Sequence, residues 1–202
     1  MTILKHVLGG PQTAGDQWTS GFHTFATNLA AEAAHDLLEA AFAISLGANM
    51  LKPWIAPGTR ITDLTTYVLD PLTGRALEVA RSAVDVTGTS AGAQPNPRLA
   101  TVIGLRTAKP GVSGRGRMYL PAPATTNFDA TGLITAQARE GIGAAMSAFM
   151  AQCASRGITP GLHDKATGTI VPFRQVTVGA VAGSQRRRTN KIPNSYVSYT
   201  FG

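Results

Sequence analysis

The sequence predicts an α+β fold in which an antiparallel sheet carries two main helices. Apolar residues recur at helical spacing over about 28–47 and again over about 130–155. Short stretches of alternating or β-branched residues lie before, between and after these helices, and Gly and Pro separate them. The resulting order of strand, helix, several strands, helix and strand is typical of α+β proteins.

The first two elements are a strand and an Ala-rich helix. Residues 16–25 alternate aromatic and small polar side chains, which is the pattern of a half-exposed strand. The helix over about 28–47 has Asn28 as a candidate N-cap and Gly47 as a candidate end.

A hairpin and two further strands follow the first helix. Residues 61–69 and 76–86 flank the sequence Asp-Pro-Leu-Thr-Gly at 70–74, which has the residues of a tight turn. Residues 99–107 are apolar enough for a central strand, and another strand begins at 117–120.

The second helix occupies about 130–155, with Asp129 or Thr131 as its candidate N-cap. Gly157 suits its C-terminal cap. A late strand over 169–181 completes the predicted core.

The chain is long enough for one hydrophobic core, and no linker-like stretch divides it. We therefore expect a single α+β domain over 1–183, followed by a basic and aromatic C-terminal arm over 184–202. A jelly-roll-like β sandwich with helical insertions is the alternative fold.

The composition is poor in charge. Only 14% of the residues are charged, whereas globular proteins have about 25%. A surface with few Lys and Glu residues lacks the groups that keep monomers apart in solution. This composition favours a surface that is largely covered by neighbouring subunits, although a loop protein rich in Thr and Ala has a similar composition.

The charge is also unevenly distributed along the chain. Residues 1–100 carry 6 basic and 8 acidic residues, whereas residues 101–202 carry 12 basic and 3 acidic residues. Such an imbalance indicates a polyanionic partner, acidic partner surfaces, or both. A generally basic protein without an anionic ligand is the simpler alternative.

The first helix carries the best candidate for a metal site. Glu32 and His35 have the Glu-x-x-His spacing that di-iron bundles use, and Asp36 and Glu39 lie close by. A di-metal bundle needs a second such pair, which the sequence lacks. These four residues are therefore predicted to form a solvated polar face, with no metal and no other cofactor.

The sequence also contains no convincing candidate for a catalytic nucleophile. Cys153 is a lone helical cysteine, no serine lies in a Gly-x-Ser-x-Gly elbow, and no phosphate-binding loop motif is present. His163 and Asp164 are adjacent in a predicted loop, where neighbours in sequence rarely face each other as a base and its orienting carboxylate. We therefore predict no enzymatic activity.

The N-terminal apolar run is too short for a signal peptide, and no window approaches the ~18 apolar residues of a membrane span. A single cysteine excludes an internal disulfide framework and fits a reducing compartment. These features predict synthesis in a cytoplasm and no membrane partner.

A glycine-rich segment at 111–117 carries two cationic residues, Arg115 and Arg117. Exposed amides and arginines in such a loop could contact phosphate. The same arginines could instead bridge to acidic groups of a neighbouring subunit, and the sequence leaves both roles open.

The C-terminal segment combines a basic run with aromatic residues. Three consecutive arginines repel one another unless a polyanion or several carboxylates neutralise them. The basic residues are Arg186, Arg187, Arg188 and Lys191, and the aromatic anchors are Tyr196, Tyr199 and Phe201. We expect an arm that packs its aromatics on a neighbouring subunit and presents its arginines to nucleic acid or to a subunit boundary. The alternative is an arm that folds back on its own domain.

Three blocks of the sequence resemble structural proteins of viruses and phages. They are Trp-Thr-Ser-Gly-Phe at 18–22, Leu-Arg-Thr at 105–107 leading to Gly-Arg-Gly-Arg-Met-Tyr-Leu-Pro at 114–121, and Gln-Arg-Arg-Arg at 185–188. The resemblance covers about a quarter of the chain, and it implies a virion component, most simply a small coat subunit. Two features depart from many small coat proteins: the N-terminus carries no basic arm, and two helices interrupt the strands.

The combined expectation is a capsid subunit that assembles with copies of itself, and with other virion proteins, around packaged nucleic acid. Its location would be the virion, assembled in a host cytoplasm. A phage neck, tail-completion or decoration protein is the first alternative. A stand-alone nucleic-acid-binding module is the second, although it would need more aromatic residues than the 6% present.

Overall fold

The computed structural model describes residues 2–9, 19–27, 29–42, 50–69, 73, 75–93, 99–107, 116–120, 123–164, 167, 169–182 and 199–200. Within these ranges the strands are β1 (Thr2–Gly9), β2 (Thr19–Thr27), β3 (Gly58–Leu69), β4 (Ala76–Gly88), β5 (Leu99–Thr107), β6 (Gly116–Tyr119), β7 (Thr159–Asp164), β8 (Thr169–Ala182) and β9 (Tyr199–Thr200). The helices are α1 (Ala31–Phe42) and α2 (Ala136–Ser155).

The strands form one antiparallel sheet in the order β4-β3-β1-β2-β6-β5-β8-β7, with β9 added to β8. With two helices packed on this sheet, the predicted α+β class is confirmed. Within the described residues all strands belong to one hydrogen-bonded sheet, whereas the alternative sandwich fold consists of two sheets.

Strand β2 joins the two halves of the sheet. Strand β1 pairs with it from Thr19 to Thr27, which occupies one of its two edges. Its other edge is shared, because Gly21 pairs with β6 and the residues from Thr24 to Ala26 pair with β7. Strands β2, β6, β5, β8 and β7 therefore close into a ring of neighbours.

The helix α1 agrees with the predicted first helix over Ala31–Phe42, and both predicted ends, Asn28 and Gly47, lie outside the described residues. Its Ala-rich sequence favours the helix, and its apolar side chains recur every three or four positions. The buried apolar residues of α1 are Ala34, Leu38, Ala41 and Phe42. They lie towards the β3–β4 hairpin and α2.

The helix α2 begins later than the sequence indicated. Thr135 is its N-cap, and its side chain accepts a hydrogen bond from the backbone N–H of Ala138 at 3.2 Å. The expectation that Asp129 or Thr131 caps the helix is wrong. Asp129 Oδ1 instead accepts from the backbone N–H groups of Thr131 (2.8 Å) and Leu133 (3.0 Å), which builds a separate turn before the helix.

The end of α2 agrees with the prediction. The helix ends at Ser155, and Gly157 follows with a φ of +72°, a left-handed conformation that glycine adopts without steric cost. Its backbone N–H donates to the carbonyl of Ala154 at 3.0 Å.

The core lies between the two helices and the β5–β8 part of the sheet. Strand β5 contributes Ile103 and Leu105, whose partners in register on β8 are Val178 and Val176. All four are fully buried. The residues of α2 buried in the same core are Ala138, Ile142, Ala145, Met146, Phe149, Met150 and Cys153.

The side of α2 also contacts the short 3-10 helix Lys52–Trp54. A Cβ atom added at Gly141 would lie 2.2 Å from Cζ2 of Trp54, so only glycine leaves room for the indole ring. The backbone carbonyl of Trp54 accepts from the Asn127 side-chain amide at 2.7 Å. Trp54, in the loop before β3, is thus in contact both with α2, through Gly141, and with the segment that precedes α2, through Asn127.

The predicted hairpin of 61–69 and 76–86 is confirmed as β3 and β4, which are a few residues longer than expected. A bulge interrupts the pairing. Thr66 pairs with Ala80 but Tyr67 pairs with Glu78, which leaves Val79 as an extra residue on β4.

Two strands were not anticipated correctly. Residues 2–9 form β1, where the sequence pattern predicted no element. Residues 159–164 form β7, so the loop expected around His163 is wrong. Strand β7 pairs with both β8 and β2, and this long-range pairing supplies the hydrogen bonds that a short segment with Pro160 and Gly161 would not predict by itself.

Candidate functional site

Most of the predicted contact residues lie outside the described part of the chain: Arg115, Arg186, Arg187, Arg188, Lys191, Tyr196 and Phe201. Arg117 lies in β6, where its backbone is in register with Gly104 on one side and Gly21 on the other. Tyr199 lies in β9.

The strand β9 pairs with β8 of the same chain. Tyr199 is in register with Val176, and Thr200 with Gln175. For these two residues the structure matches the alternative in which the C-terminal segment folds back on its own domain. The predicted contact of the aromatic anchors with a neighbouring subunit stays a prediction.

The two arginine-bearing segments begin at opposite ends of the β5–β8 pair, and the second one returns to Tyr199, which pairs with Val176 of β8. Thr107 and Gly116, which flank the segment 108–115, lie at the end of β5 that pairs with the start of β8. Ala182, which precedes the segment 183–198, pairs with Leu99 at the other end. The intervening length of β5 is about 25 Å, at 3.3 Å per residue.

The polar residues of α1 do not form one solvated face. Glu32 and Asp36 are exposed, in agreement with the prediction, whereas Glu39 is partly buried. His35, however, is only 3% exposed, so the solvated-face prediction is wrong for this residue. Its position three residues before Leu38 and seven before Phe42 places it on the apolar side of the helix.

His35 is held by two hydroxyl groups of the β3–β4 hairpin. Its Nδ1 atom lies 2.7 Å from Thr66 Oγ1, and its Nε2 atom lies 2.5 Å from Ser82 Oγ. Ser82 in turn donates to Glu39 Oε2 at 2.7 Å. We refer to Glu39, Ser82, His35 and Thr66 as the α1–hairpin network.

The donors of this network follow from its geometry. The hydroxyl of Ser82 has one proton, and the carboxylate of Glu39 can only accept. Ser82 therefore accepts from the Nε2–H group of His35, and His35 Nδ1 shares a hydrogen bond with Thr66 Oγ1. The proton on Nε2 is assigned from the hydrogen-bond pattern.

The α1–hairpin network differs from a hydrolytic triad, although it contains Ser, His and Glu. In a triad the carboxylate holds the imidazole and the imidazole accepts the serine proton. Here Glu39 holds the serine, and a threonine hydroxyl occupies the other side of the ring. The arrangement connects a helix to two strands and fits a structural role.

The other candidates for nucleophilic chemistry are Cys153 and the neighbouring residues His163 and Asp164. Cys153 is fully buried in α2, and burial raises the pKa of its thiol to about 12 despite the opposing effect of Arg156. A thiol with this pKa remains protonated at neutral pH and is a poor nucleophile. His163 and Asp164 lie in β7, in register with Ile170 and Thr169.

Within the described residues, no three His, Cys, Asp or Glu side chains group as metal ligands do. In the same part of the chain, none of the helices has the length and apolarity required to cross a membrane.

Thr66 and Ser82 were not predicted from the sequence as members of a site. Their signal was weak, because each is a small polar residue in an otherwise ordinary strand pattern, and only the packing of α1 on the hairpin brings them to His35.

Comparison with known proteins gives no relative: no protein family, curated protein or solved structure matches this chain.

Proposed function

We propose that this protein is a structural subunit of a virus particle, and that it assembles as a capsid subunit into a shell around nucleic acid. The observation that carries the proposal is the charge distribution. Few residues are charged, yet residues 101–202 contain 12 basic and 3 acidic residues. A charge-poor surface suits contact with other subunits, and a basic half suits contact with a polyanion.

The arrangement of the fold agrees with this proposal. Both basic segments are continuous with strands of the core sheet, because 108–115 joins β5 to β6 and 183–198 joins β8 to β9. The α1–hairpin network and the buried Cys153 have structural explanations that require no substrate.

The mechanism is one of assembly. Each subunit contact is weak, and symmetry and repetition make the closed particle stable. Arginines that approach the packaged phosphates release counterions and reduce the repulsion between neighbouring phosphates, so assembly with nucleic acid becomes weaker as salt increases.

The test is negative-stain electron microscopy and light scattering of the purified full-length protein, with and without added nucleic acid. Closed particles of uniform diameter are the expected result. Small rings would favour a phage neck, tail-completion or decoration protein. A monomer that binds nucleic acid with strong salt dependence would favour a nucleic-acid-binding module, and either result would overturn the capsid assignment.

A further inference from the structure

Strand β8 has a second edge that β9 covers only in part. Strand β5 pairs with residues 173–182 of β8 along the first edge. Strand β9 pairs with Gln175 and Val176, and because both of these residues also pair with β5, β9 lies on the opposite edge of β8. Along this second edge, no strand in the described part of the chain pairs with residues 177–182.

This part of the second edge lies inside the protein. Val178 and Ala180 are at most 1% exposed, Thr177 is 5% exposed, and Gly179 is buried. Successive residues of an antiparallel strand direct their backbone N–H and C=O groups to alternate edges, so two of these four residues direct theirs away from β5. Buried backbone groups are almost always paired, because leaving one without a partner destabilises the fold. The second edge therefore requires a partner, and another strand supplies the hydrogen bonds most directly.

The register of β9 identifies the segment that can fill this edge. Tyr199 lies opposite Val176 in an antiparallel pair. Continuing this register back along the chain places residues 193–198 opposite residues 177–182, with position 198 opposite 177 and position 193 opposite 182. Residues 183–192 then connect the two strands, and ten residues are more than a hairpin connection needs.

The sequence of the segment suits this position. Residues 195–201 read Ser-Tyr-Val-Ser-Tyr-Thr-Phe, which is rich in residues that favour strands. In the continued register Val197 lies opposite Val178, which belongs to the hydrophobic core. Tyr196 lies opposite Gly179, where the absence of a side chain leaves room for an aromatic ring.

The connectivity of the chain favours this segment over a strand from another molecule. Both ends of the segment 183–198 lie beside the second edge, because Ala182 is part of β8 and Tyr199 pairs with Val176. Its effective concentration at the edge therefore greatly exceeds that of a second copy in dilute solution. Pro193 would be the first residue of the added strand, a position at which proline is tolerated.

We propose that residues 193–198 of the same chain occupy the second edge of β8 as a continuation of β9, so that the C-terminal part of the chain forms a β-hairpin with β8. The connection over 183–192 contains all four basic residues predicted for the C-terminal arm: Arg186, Arg187, Arg188 and Lys191. The hairpin thus separates these basic residues, in the connection beyond Ala182, from the aromatic residues along the sheet. The contact lies within one chain and goes beyond the proposed capsid function, on which it does not depend.

Paired cysteines in the full-length protein test the register. The first matched pair is Thr177→Cys with Ser198→Cys, and the second is Ala180→Cys with Ser195→Cys. Each matched pair places two residues directly opposite each other, where the Cβ atoms of an antiparallel pair lie ~4.5–5.5 Å apart. Exchanging the partners gives two mismatched pairs with the same four substitutions, whose thiols lie three residues apart along the strands, or about 10 Å. The native Cys153 is fully buried.

Under mild oxidation we expect each matched pair to form a disulfide within one chain at least about tenfold faster than either mismatched pair. Gel mobility without reductant and mass spectrometry of the linked peptides measure the product, and thermal unfolding of the reduced variants checks that they are folded. Equal rates for matched and mismatched pairs would overturn the proposal. A covalent dimer from a matched pair would also overturn it, because a second copy would then fill the edge.

Hydrogen exchange of the unmodified protein gives a test that needs no substitution. With residues 193–198 on the second edge, the consecutive backbone amides of residues 177–180 are all hydrogen bonded and are expected to exchange slowly. Without a partner on that edge, the alternate amides that point away from β5 exchange much faster than their neighbours. Protection confined to alternate residues is therefore the result that refutes the hairpin, even where a cysteine variant fails to fold.

Particle formation by the same full-length variants is scored separately. Particles that form without preferential cross-linking of the matched pairs would overturn the hairpin alone. Preferential cross-linking of the matched pairs in a protein that forms no particles would support the hairpin and overturn the capsid proposal alone.

Discussion

The Ser82 hydroxyl lies between His35 and Glu39, accepting from the imidazole Nε2 and donating to the carboxylate Oε2. His35 and Ser82 are 47 residues apart in sequence, so their contact depends on the docking of α1 on the hairpin. A buried polar chain of this kind is favourable when every member is satisfied, and the loss of one member leaves the others with a desolvation cost.

Replacing the imidazole should therefore destabilise the fold. His35→Ala removes two hydrogen bonds from a buried site and leaves a cavity, and we expect a loss of about 2–3 kcal/mol in the free energy of unfolding. Chemical denaturation measures this loss. Asp36→Ala, on the exposed side of the same helix, should change stability by no more than about 0.5 kcal/mol. Equal effects of the two substitutions would contradict the structural role of the network.

The contact between Gly141 and Trp54 predicts an unusual result for a helix. Glycine to alanine in a helix interior normally stabilises by about 0.5–1 kcal/mol. Gly141→Ala is expected to destabilise instead, because its new methyl group would overlap the indole of Trp54. A double-mutant cycle with Trp54→Leu checks the cause. In the Trp54→Leu background, Gly141→Ala should leave the free energy of unfolding unchanged or raise it. A destabilisation that persists in that background would show that the indole ring is not its cause.

The buried thiol predicts both low reactivity and a pH effect. Because burial raises the pKa of Cys153 from 9.0 to about 12, the native protein should react with a thiol reagent at pH 8 only when it unfolds. The folded state keeps the proton that the unfolded state loses, so this contribution to stability is complete below pH 9 and declines between pH 9 and 12. At pH 10 this effect lowers the free energy of unfolding by about 1.4 kcal/mol from its value below pH 9. The Cys153→Ala variant, which lacks the thiol, should not show this part of the pH dependence. Rapid labelling of the folded protein would rule out this environment for the thiol.

The arginine run should act on assembly and cargo without affecting the fold. Arg186, Arg187 and Arg188 changed together to alanine are expected to lower particle yield or packaged nucleic acid, measured by sedimentation and by the absorbance ratio at 260 and 280 nm. Truncation after Gly183 should give folded subunits that no longer form particles. Particles with unchanged yield and cargo in the triple variant would remove these arginines from the proposed mechanism.

The features fixed by local sequence were predictable. The helices α1 and α2, the pairing of β3 with β4 and the glycine after α2 each depend on residues close in sequence. Of the predicted turn over 70–74, only Thr73 lies within the described residues. The class α+β followed from them.

The features that depend on distant partners were not predictable in this way. Strand β7 forms because β2 and β8 provide hydrogen bonds on both of its edges, and β1 forms because β2 and β3 do the same. The start of α2 was misplaced because Asp129, Thr131 and Thr135 are all good capping residues.

For the candidate site, the burial of His35 could have been predicted from the sequence. Its spacing of three residues to Leu38 and seven to Phe42 indicates the apolar face of α1, although its acidic neighbours Asp36 and Glu39 suggested the polar face. Thr66 and Ser82 could not be identified, because cross-element hydrogen bonds leave no local pattern.

The shared edge of β2 has a consequence for how the protein folds during synthesis. Gly21 cannot pair until Arg117 has been synthesised, and Phe25 cannot pair with β7 until Pro160 has been synthesised. Most of the chain must therefore leave the ribosome before the ring of strands can close. Contacts so distant in sequence slow folding and leave strand edges open to aggregation in the meantime. Under the proposed assembly function, the rate of ring closure would limit how much newly synthesised chain can enter a particle.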